Sequence, residues 1–247
     1  MTGDTISGKL SPHTVTTTHN TTLQMKIKTL AIAAATLAVG AISSQAQVYS
    51  QNIVGYANVV FVGTNSYTLV CNPLDDGNGN VISNLFANLP AGSTITTWNG
   101  ATFNAAVGKT AGGWGAGSGA SLPPGVGFFV KNGKASPASP PYTNTFAGTV
   151  AVASGGSVTN SLILGYNLVG SILPYAADLI TDTNLNLQVA KQSTLTSWNV
   201  NGQVYNAAIG KTAGGWSVGA TFPVTVGQAY FIKSGTMATN WIENAPF

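Results

Sequence analysis

The sequence predicts a mainly β fold of two tandem duplicated modules, each a small β-sandwich or β-roll with one short helix, after a cleaved signal peptide. An internal repeat is the first reason: residues 104–114 return as residues 206–216 with one change, Val107 to Ile209. Such a repeat at a fixed offset defines the architecture before any local assignment is made. The second reason is that short β-branched runs alternate with Gly, Pro and Asn, the pattern of strands joined by turns.

The N-terminal segment has the pattern of a secretory signal peptide. Lys26 and Lys28 precede an apolar run at residues 30–42, and the small-x-small sequence Ser-Gln-Ala follows at residues 44–46. We therefore predict a signal peptide at residues 25–46, with cleavage after its last residue. The apolar run is shorter than the ~20 residues that span a bilayer, so no membrane insertion is expected after cleavage. A retained N-terminal anchor is the alternative.

The signal peptide divides the rest of the chain into three further parts. Residues 1–24 are polar, rich in Thr and without periodicity, so they are interpreted as an upstream extension before the true initiator, Met25. The mature chain is predicted to consist of β module copy one, residues 47–144, and β module copy two, residues 145–247. Its expected location is extracellular or at the cell surface, with the periplasm as the alternative.

Ionisable side chains are scarce once the leader is removed. Of the nine basic and six acidic residues, three and one precede residue 47, which leaves six minus five, a net charge of +1. Both histidines also lie upstream of that residue, and the chain has no arginine. No charge field for nucleic acid remains, and few groups are left for acid–base, nucleophilic or metal chemistry. We therefore expect no enzyme, no cofactor, no metal site and no nucleic-acid partner.

Cys71 is the single cysteine of the chain, and Gly170 stands at the corresponding place in the second copy. One cysteine cannot form an intramolecular disulfide. A free cysteine behaves as a small apolar side chain. We therefore expect a buried structural thiol.

One helix is predicted in the first copy. Ile82, Leu85, Phe86 and Leu89 follow the i, i+3, i+4, i+7 spacing of an apolar helical stripe. Asn80 is the expected cap and Pro90 the expected end, and a weaker version of the helix is expected to start at Asp178. Residues 146–152 resemble residues 53–60, so they are predicted to form a strand that closes one module and opens the next.

Two further motifs have simple structural interpretations. Gly108-Lys109-Thr110 and its copy at residues 210–212 lack the Gly that a phosphate-binding loop has five residues earlier, so a Gly-rich connection with a solvated Lys is expected. Residues 75–80 (Asp-Asp-Gly-Asn-Gly-Asn) have the composition of a calcium loop but not its spacing. A tight Asn/Gly turn with an Asx cap is expected there.

The repeated tryptophans are the candidate ligand-binding residues, together with the asparagines that follow them. In the strand before Trp98, alternation places Thr94, Thr96 and Trp98 on one face and Ile95 on the other. On that polar face the ring could stack on a sugar, whereas a bulge would turn it into the core of the module. The second copy repeats the pattern. The candidate binding residues are Trp98, Asn99, Trp198 and Asn199.

The order of short motifs along the mature chain resembles a family of secreted bacterial repeat proteins, mostly of unassigned function. The motifs are Asn72-Pro73-Leu74, Leu89-Pro90, Trp98-Asn99, Gly112-Gly113-Trp114 and the Pro-Gly-Val-Gly-Phe-Phe-Val sequence of residues 124–130. The resemblance covers nearly the whole mature chain and implies a secreted repeat protein, but it brings no catalytic or ligand residues with it.

The function predicted from these observations is that of a secreted, non-catalytic structural or adhesive protein of the cell surface or matrix. The alternative is a carbohydrate-binding protein that uses Trp98 and Trp198 as paired platforms. The expected partners are polysaccharides or components of the cell surface or matrix. Self-association is a further possibility, because exposed linking strands can pair between molecules.

Overall fold

The computed structural model describes residues 54–63, 65–133, 141–152 and 156–247. All of them belong to one compact unit, Asn52–Phe247. The predicted upstream extension and signal peptide lie outside the described residues. Among the residues that are described, no helix is long and apolar enough to cross a membrane.

The fold is mainly β, and every strand pair is antiparallel. The first half (residues 54–152) contains β1 (Val54–Phe61), β2 (Tyr67–Cys71), α1 (Ile82–Leu85), β3 (Thr94–Thr97), β4 (Val107–Thr110), β5 (Gly113–Trp114), β6 (Gly127–Lys131) and β7 (Tyr142–Thr149). The second half (residues 156–247) contains β8 (Ser157–Leu162), β9 (Gly165–Gly170), β10 (Ala177–Asp178), β11 (Thr194–Thr196), β12 (Trp198–Asn199), β13 (Val204–Tyr205), β14 (Ile209–Thr212), β15 (Gly215–Trp216), β16 (Pro223–Val224), β17 (Ala229–Ser234) and β18 (Thr239–Asn244).

Each half contributes one five-stranded sheet. The strand order is β2-β6-β3-β4-β5 in the first sheet and β9-β17-β11-β14-β15 in the second. Strands that carry the same repeated sequence occupy the same position in the two orders, as the Gly-Lys-Thr strands β4 and β14 do. Register corresponds as well, because Tyr67 pairs with Lys131 in the first sheet and Tyr166 pairs with Lys233 in the second.

A two-stranded ribbon accompanies each sheet. β1 pairs with β7 from Val54 opposite Thr149 to Phe61 opposite Tyr142, and β8 pairs with β18 in the second half. The predicted module boundary, between residues 144 and 145, therefore falls inside β7. Residues 146–149 belong to the first ribbon, and β8 begins the second. The likeness between residues 53–60 and 146–152 reflects the alternation of buried and exposed residues that two strands of one ribbon share.

Two apolar cores lie on the outer faces of the two sheets. The first core is centred on buried aromatic rings that pack edge to face or tilted, namely Phe61, Phe86, Phe128 and Phe146. The second core contains Leu195, Tyr230 and Trp241, all fully buried. Because β6 and β17 are central strands with both faces covered, their apolar runs are continuous.

The helix prediction was only partly right. α1 is a single turn, Ile82–Leu85, and its N-cap residue is Val81, with no side-chain cap. Asn80 does not cap it, because its side-chain oxygen accepts hydrogen bonds from Asp76 N and Asn72 Nδ2 within the preceding loop. That loop is the predicted Asx-capped turn, since Asp76 Oδ1 accepts hydrogen bonds from two backbone N–H groups at residues 78 and 80.

No helix follows Asp178 in the described second half, and this part of the prediction was wrong. The Asp178 carboxylate accepts hydrogen bonds from the N–H groups of Ile180 and Thr181, both at 2.9 Å, and closes a turn. A short polar side chain that bonds nearby backbone in this way competes with helix formation. Leu185 and Leu187 are buried in the second core, but they lie in an irregular segment and not in a helix.

The side chains of the two repeated lysines are not simply solvated, contrary to the prediction. Lys211 Nζ donates a hydrogen bond to Val189 O at 2.7 Å, and Lys109 Nζ donates to Ala87 O at the equivalent place. Each ammonium also lies 5.6 Å from the centre of a tryptophan ring, Trp216 or Trp114. The Gly-Lys-Thr sequence therefore fixes a loop to the sheet edge in both halves.

Candidate functional site

The inner faces of the two sheets meet in a third apolar cluster, which we call the junction cluster. Its buried members are Leu69, Cys71 and Phe129 from the first sheet and Leu168, Ala229 and Phe231 from the second. Strand alternation divides each strand between two cores: Val70 faces the first core, whereas its neighbours Leu69 and Cys71 face the junction. The junction thus makes the two sheets one packed body.

Trp98 and Trp198 both pack on the junction cluster, each against residues of the other half. The Trp98 ring packs edge to face on Phe231 at 5.3 Å, and its Nε1 donates a hydrogen bond to Tyr166 O at 3.2 Å. The Trp198 ring packs in the same way on Phe129 at 5.0 Å, and its Nε1 donates to Tyr67 O at 2.9 Å. Each tryptophan therefore binds the sheet of the other half.

This position agrees with the predicted alternation but not with either predicted environment. Ile95 is fully buried in the first core, and Trp98 lies on the opposite face of the strand. That face is covered by the second sheet, so Trp98 and Trp198 are half-buried, neither free platforms nor residues of their own module core. The sequence could not show which face the other half would cover.

Asn99 and Asn199 use their side chains within their own hairpin loops. Asn99 Oδ1 accepts hydrogen bonds from the N–H groups of Ala101 and Thr102, at 2.9 and 2.8 Å. Asn199 Oδ1 accepts one from Gly202 N at 2.9 Å. These amides hold the loops that carry the tryptophans.

Gln203 is a junction residue that was not predicted from the sequence. Its Oε1 accepts a hydrogen bond from Tyr67 N at 2.7 Å, and its Nε2 donates to Tyr67 O at 3.1 Å. One side-chain amide therefore replaces a strand partner along the edge of β2. The longer Trp–Tyr loop of the second copy was the available signal, because Gln203 has no counterpart between Trp98 and Phe103.

Backbone hydrogen bonds across the junction are also reciprocal. Cys71 N donates to Gly227 O, and Gly170 N donates to Gly125 O, both at 2.9 Å. The acceptors belong to equivalent turns that precede β17 and β6. The two halves are therefore joined by main-chain bonds as well as by apolar packing.

Cys71 and Gly170 are complementary at the centre of the junction. A Cβ added to Gly170 would lie 2.2 Å from Cys71 Sγ, so the space of one absent side chain is filled by the other. Cys71 is fully buried, and burial, together with the nearby Glu243 carboxylate, raises the pKa of its thiol above the ordinary range. The prediction of a buried structural thiol is confirmed.

Glu243 is fully buried on β18, beside the junction. Its carboxylate accepts hydrogen bonds from the Ser171 hydroxyl and from Ile172 N, the latter at 3.1 Å. Burial raises its pKa from 4.5 to about 7, and these hydrogen bonds oppose the rise. Ser171 Oγ also lies 2.8 Å from Leu173 O, and its single proton cannot serve both acceptors.

Two openings flank the junction. The first, which we call the junction cleft, has a volume of about 430 Å³ and is lined by residues 58–60, 68–69 and 225–229 together with Trp198 and Val200. The second, which we call the aromatic pocket, has a volume of about 350 Å³. It is lined by Trp98, Phe103, Tyr166, Thr196, Tyr205 and Phe231. Both openings are built from side chains of the two halves.

The side chains that line the two openings are uncharged. No ionisable side chain other than tyrosine lines either opening. Across the part of the chain that the structure describes, no three His, Cys, Asp or Glu side chains come together as a metal site. No protein-family model matches the chain, and comparisons with curated proteins and with solved structures found no similar protein.

Proposed function

We propose that this chain is an exported, non-catalytic β-protein of two tandem modules with a structural or adhesive role at the cell surface or in the matrix. The predicted signal peptide, the internal repeat and the resemblance to secreted bacterial repeat proteins support export. One structural observation carries the non-catalytic part. Each acidic side chain of the described residues accepts hydrogen bonds from backbone N–H groups of the fold.

The aspartates show this loop-fixing role in both halves. Asp75 and Asp76 accept backbone N–H groups of the turn at residues 77–80. Asp178 accepts backbone N–H groups of residues 180, 181 and 222, and Asp182 accepts those of residues 184 and 185. A general acid or base must instead direct its carboxyl group toward substrate. The four aspartate carboxylates instead form hydrogen bonds within the fold.

The reciprocal junction supports a structural role. A tandem pair joined only by a linker would move as two separate bodies. Here two tryptophans, a glutamine amide and two main-chain hydrogen bonds connect the halves. A chain that transmits force or presents a fixed surface benefits from such a connection.

Export is tested by the N-terminus and location of the native protein. We expect the protein in the extracellular or cell-surface fraction of its host, with Gln47 as the first residue by N-terminal sequencing. Activity assays of the same material with glycoside, ester and peptide substrates are expected to show no turnover. Cytoplasmic full-length protein would contradict export, and turnover lost in a folded Asp178→Asn variant would contradict the non-catalytic role.

A carbohydrate-binding role is the second candidate function. The observation that favours it is the junction cleft, which is lined by Trp198 together with Asn58 and Gln228. Aromatic rings with a few convergent polar groups are typical of small-molecule sites. In this role Trp198 would be the aromatic residue that contacts the sugar, together with cleft residues of the other half. Trp98 does not line this cleft; it lines the more apolar aromatic pocket.

A further inference from the structure

We propose that the junction cleft is the binding site for a neutral, polyhydroxylated ligand, such as a sugar residue of a polysaccharide. This inference rests on the second candidate function and assigns its site. A volume of about 430 Å³ falls within the range of ~300–1,000 Å³ that is usual for ligand pockets. The lining includes no charged side chain, so the fitting ligand carries no charge.

Thr68 provides the first sign that something belongs in the cleft. The residue is 7 % exposed, and its hydroxyl oxygen is buried without a hydrogen-bond partner. A buried hydroxyl without a partner costs about 1–3 kcal/mol, and most such groups in native proteins are paired. Thr68 lines the cleft. A turn of the Thr68 side chain toward the cleft would let a ligand hydroxyl supply the missing partner.

The outer edge of β2 contributes to the wall of the cleft. β2 is the outer strand of its sheet, and its edge is already bonded at both ends. Gln203 binds the main chain of Tyr67, and Cys71 N donates to Gly227 O beside an antiparallel bridge between Val70 and Gln228. Leu69 lies between these two contacts and lines the cleft.

Two amide side chains that line the cleft already accept hydrogen bonds through their oxygen atoms. Asn58 Oδ1 accepts a hydrogen bond from Thr145 Oγ1 at 2.7 Å, and Gln228 Oε1 accepts one from Thr225 N at 3.0 Å. Their NH₂ groups remain as donors. The cleft therefore offers several donors and one hydroxyl, the set that matches a ligand rich in hydroxyl oxygens.

Trp198 supplies the apolar surface. Its Nε1 hydrogen bond to Tyr67 O and its packing on Phe129 fix the ring, so little side-chain entropy is lost on binding. The C–H face of a sugar ring can lie against an aromatic ring held in this way, while the sugar hydroxyls reach the donors of the opposite wall. An apolar ligand would leave those donors unpaired.

The test is NMR titration of the ¹⁵N-labelled mature chain, residues 47–247, with maltotriose, cellotriose, mannotriose and N-acetylchitotriose. We expect one of them to shift the amide signals of Leu69 and Ala229. Thr68→Val removes the hydroxyl without changing the side-chain shape, and we expect it to weaken binding about five- to tenfold, the worth of one hydrogen bond. Its melting temperature is expected to be unchanged or higher, because the hydroxyl has no partner in the free protein.

Thr159→Val is the matched control, because Thr159 is exposed on β8 outside the cleft, and it should leave the affinity unchanged. The proposal is overturned if no trisaccharide shifts the Leu69 and Ala229 signals, or if Thr68→Val and Asn58→Ala bind as the parent does. Shifts confined to Tyr166 and Tyr205 would keep a carbohydrate role and reject this site. Each of these outcomes is independent of the export test.

Discussion

Gly170→Ala is expected to lower the free energy of unfolding by about 3 kcal/mol or more, the upper range for forcing an extra methyl into a packed core. The added Cβ would lie 2.2 Å from Cys71 Sγ and 2.6 Å from Gln228 O. Neither neighbour can move easily, since Cys71 is fully buried and the Gln228 oxygen belongs to the backbone. Urea unfolding of the two proteins measures the difference.

Gly210→Ala is the matched control for this substitution. Gly210 lies on β14 of the same sheet, and a Cβ there would meet nothing within 4 Å. We expect its stability to change by less than about 0.5 kcal/mol. Adding Cys71→Gly to Gly170→Ala should recover part of the loss, because the sulfur contact disappears while the backbone contact remains. Equal stability of the Gly170→Ala and Gly210→Ala variants would show that the two halves do not meet as described.

The second large effect is a loss of stability as the pH rises, caused by Glu243. Its pKa is about 7 in the folded protein, against 4.5 for an unperturbed carboxyl group. Between these two values the folded protein holds a proton that the unfolded chain has released, so the free energy of unfolding falls as the pH rises. The full change is about 3 kcal/mol, complete above the folded pKa and absent below 4.5.

Glu243→Gln is expected to abolish most of this dependence, because the amide keeps the shape and has no charge to bury. Ser171→Ala keeps the acid and removes one hydrogen bond that lowers its pKa, so this variant should retain the dependence. Cys71 and Tyr230 face Glu243 and have raised pKa values, so neither ionises in this range. Thermal unfolding between pH 4 and pH 8 makes the comparison. Parallel pH profiles for Glu243→Gln and the parent would assign the effect to another group.

Local periodicity predicted the elements whose environment is set within one sheet. Alternation correctly put Ile95 and Trp98 on opposite faces, and the short β-branched runs bounded by Gly, Pro and Asn correctly indicated strands. The mainly β class follows from the same evidence. These predictions succeed because the periodicity of side chains along a strand is a local property of the chain.

Contacts between the halves could not be predicted, because they depend on residues about 45 to 160 positions apart. The partner of Trp198 is the backbone of Tyr67, which no spacing rule connects to it. The replacement of Cys71 by Gly170 in the second copy was visible in the sequence, but its meaning required the two positions to be adjacent. Asp178 failed as a helix start because its carboxylate bonds nearby N–H groups of the turn.

The two halves form one body through the reciprocal junction, and the junction cleft depends on this arrangement. Native-state hydrogen exchange of the Cys71 and Gly170 amides measures whether the halves stay together, because both amides donate across the junction. We expect these amides to exchange only through global unfolding, with the same free energy as the Val130 and Ile232 amides inside the two sheets. If Cys71 and Gly170 instead exchange at a free energy lower by about 2 kcal/mol or more, the halves separate while folded and do not form one body.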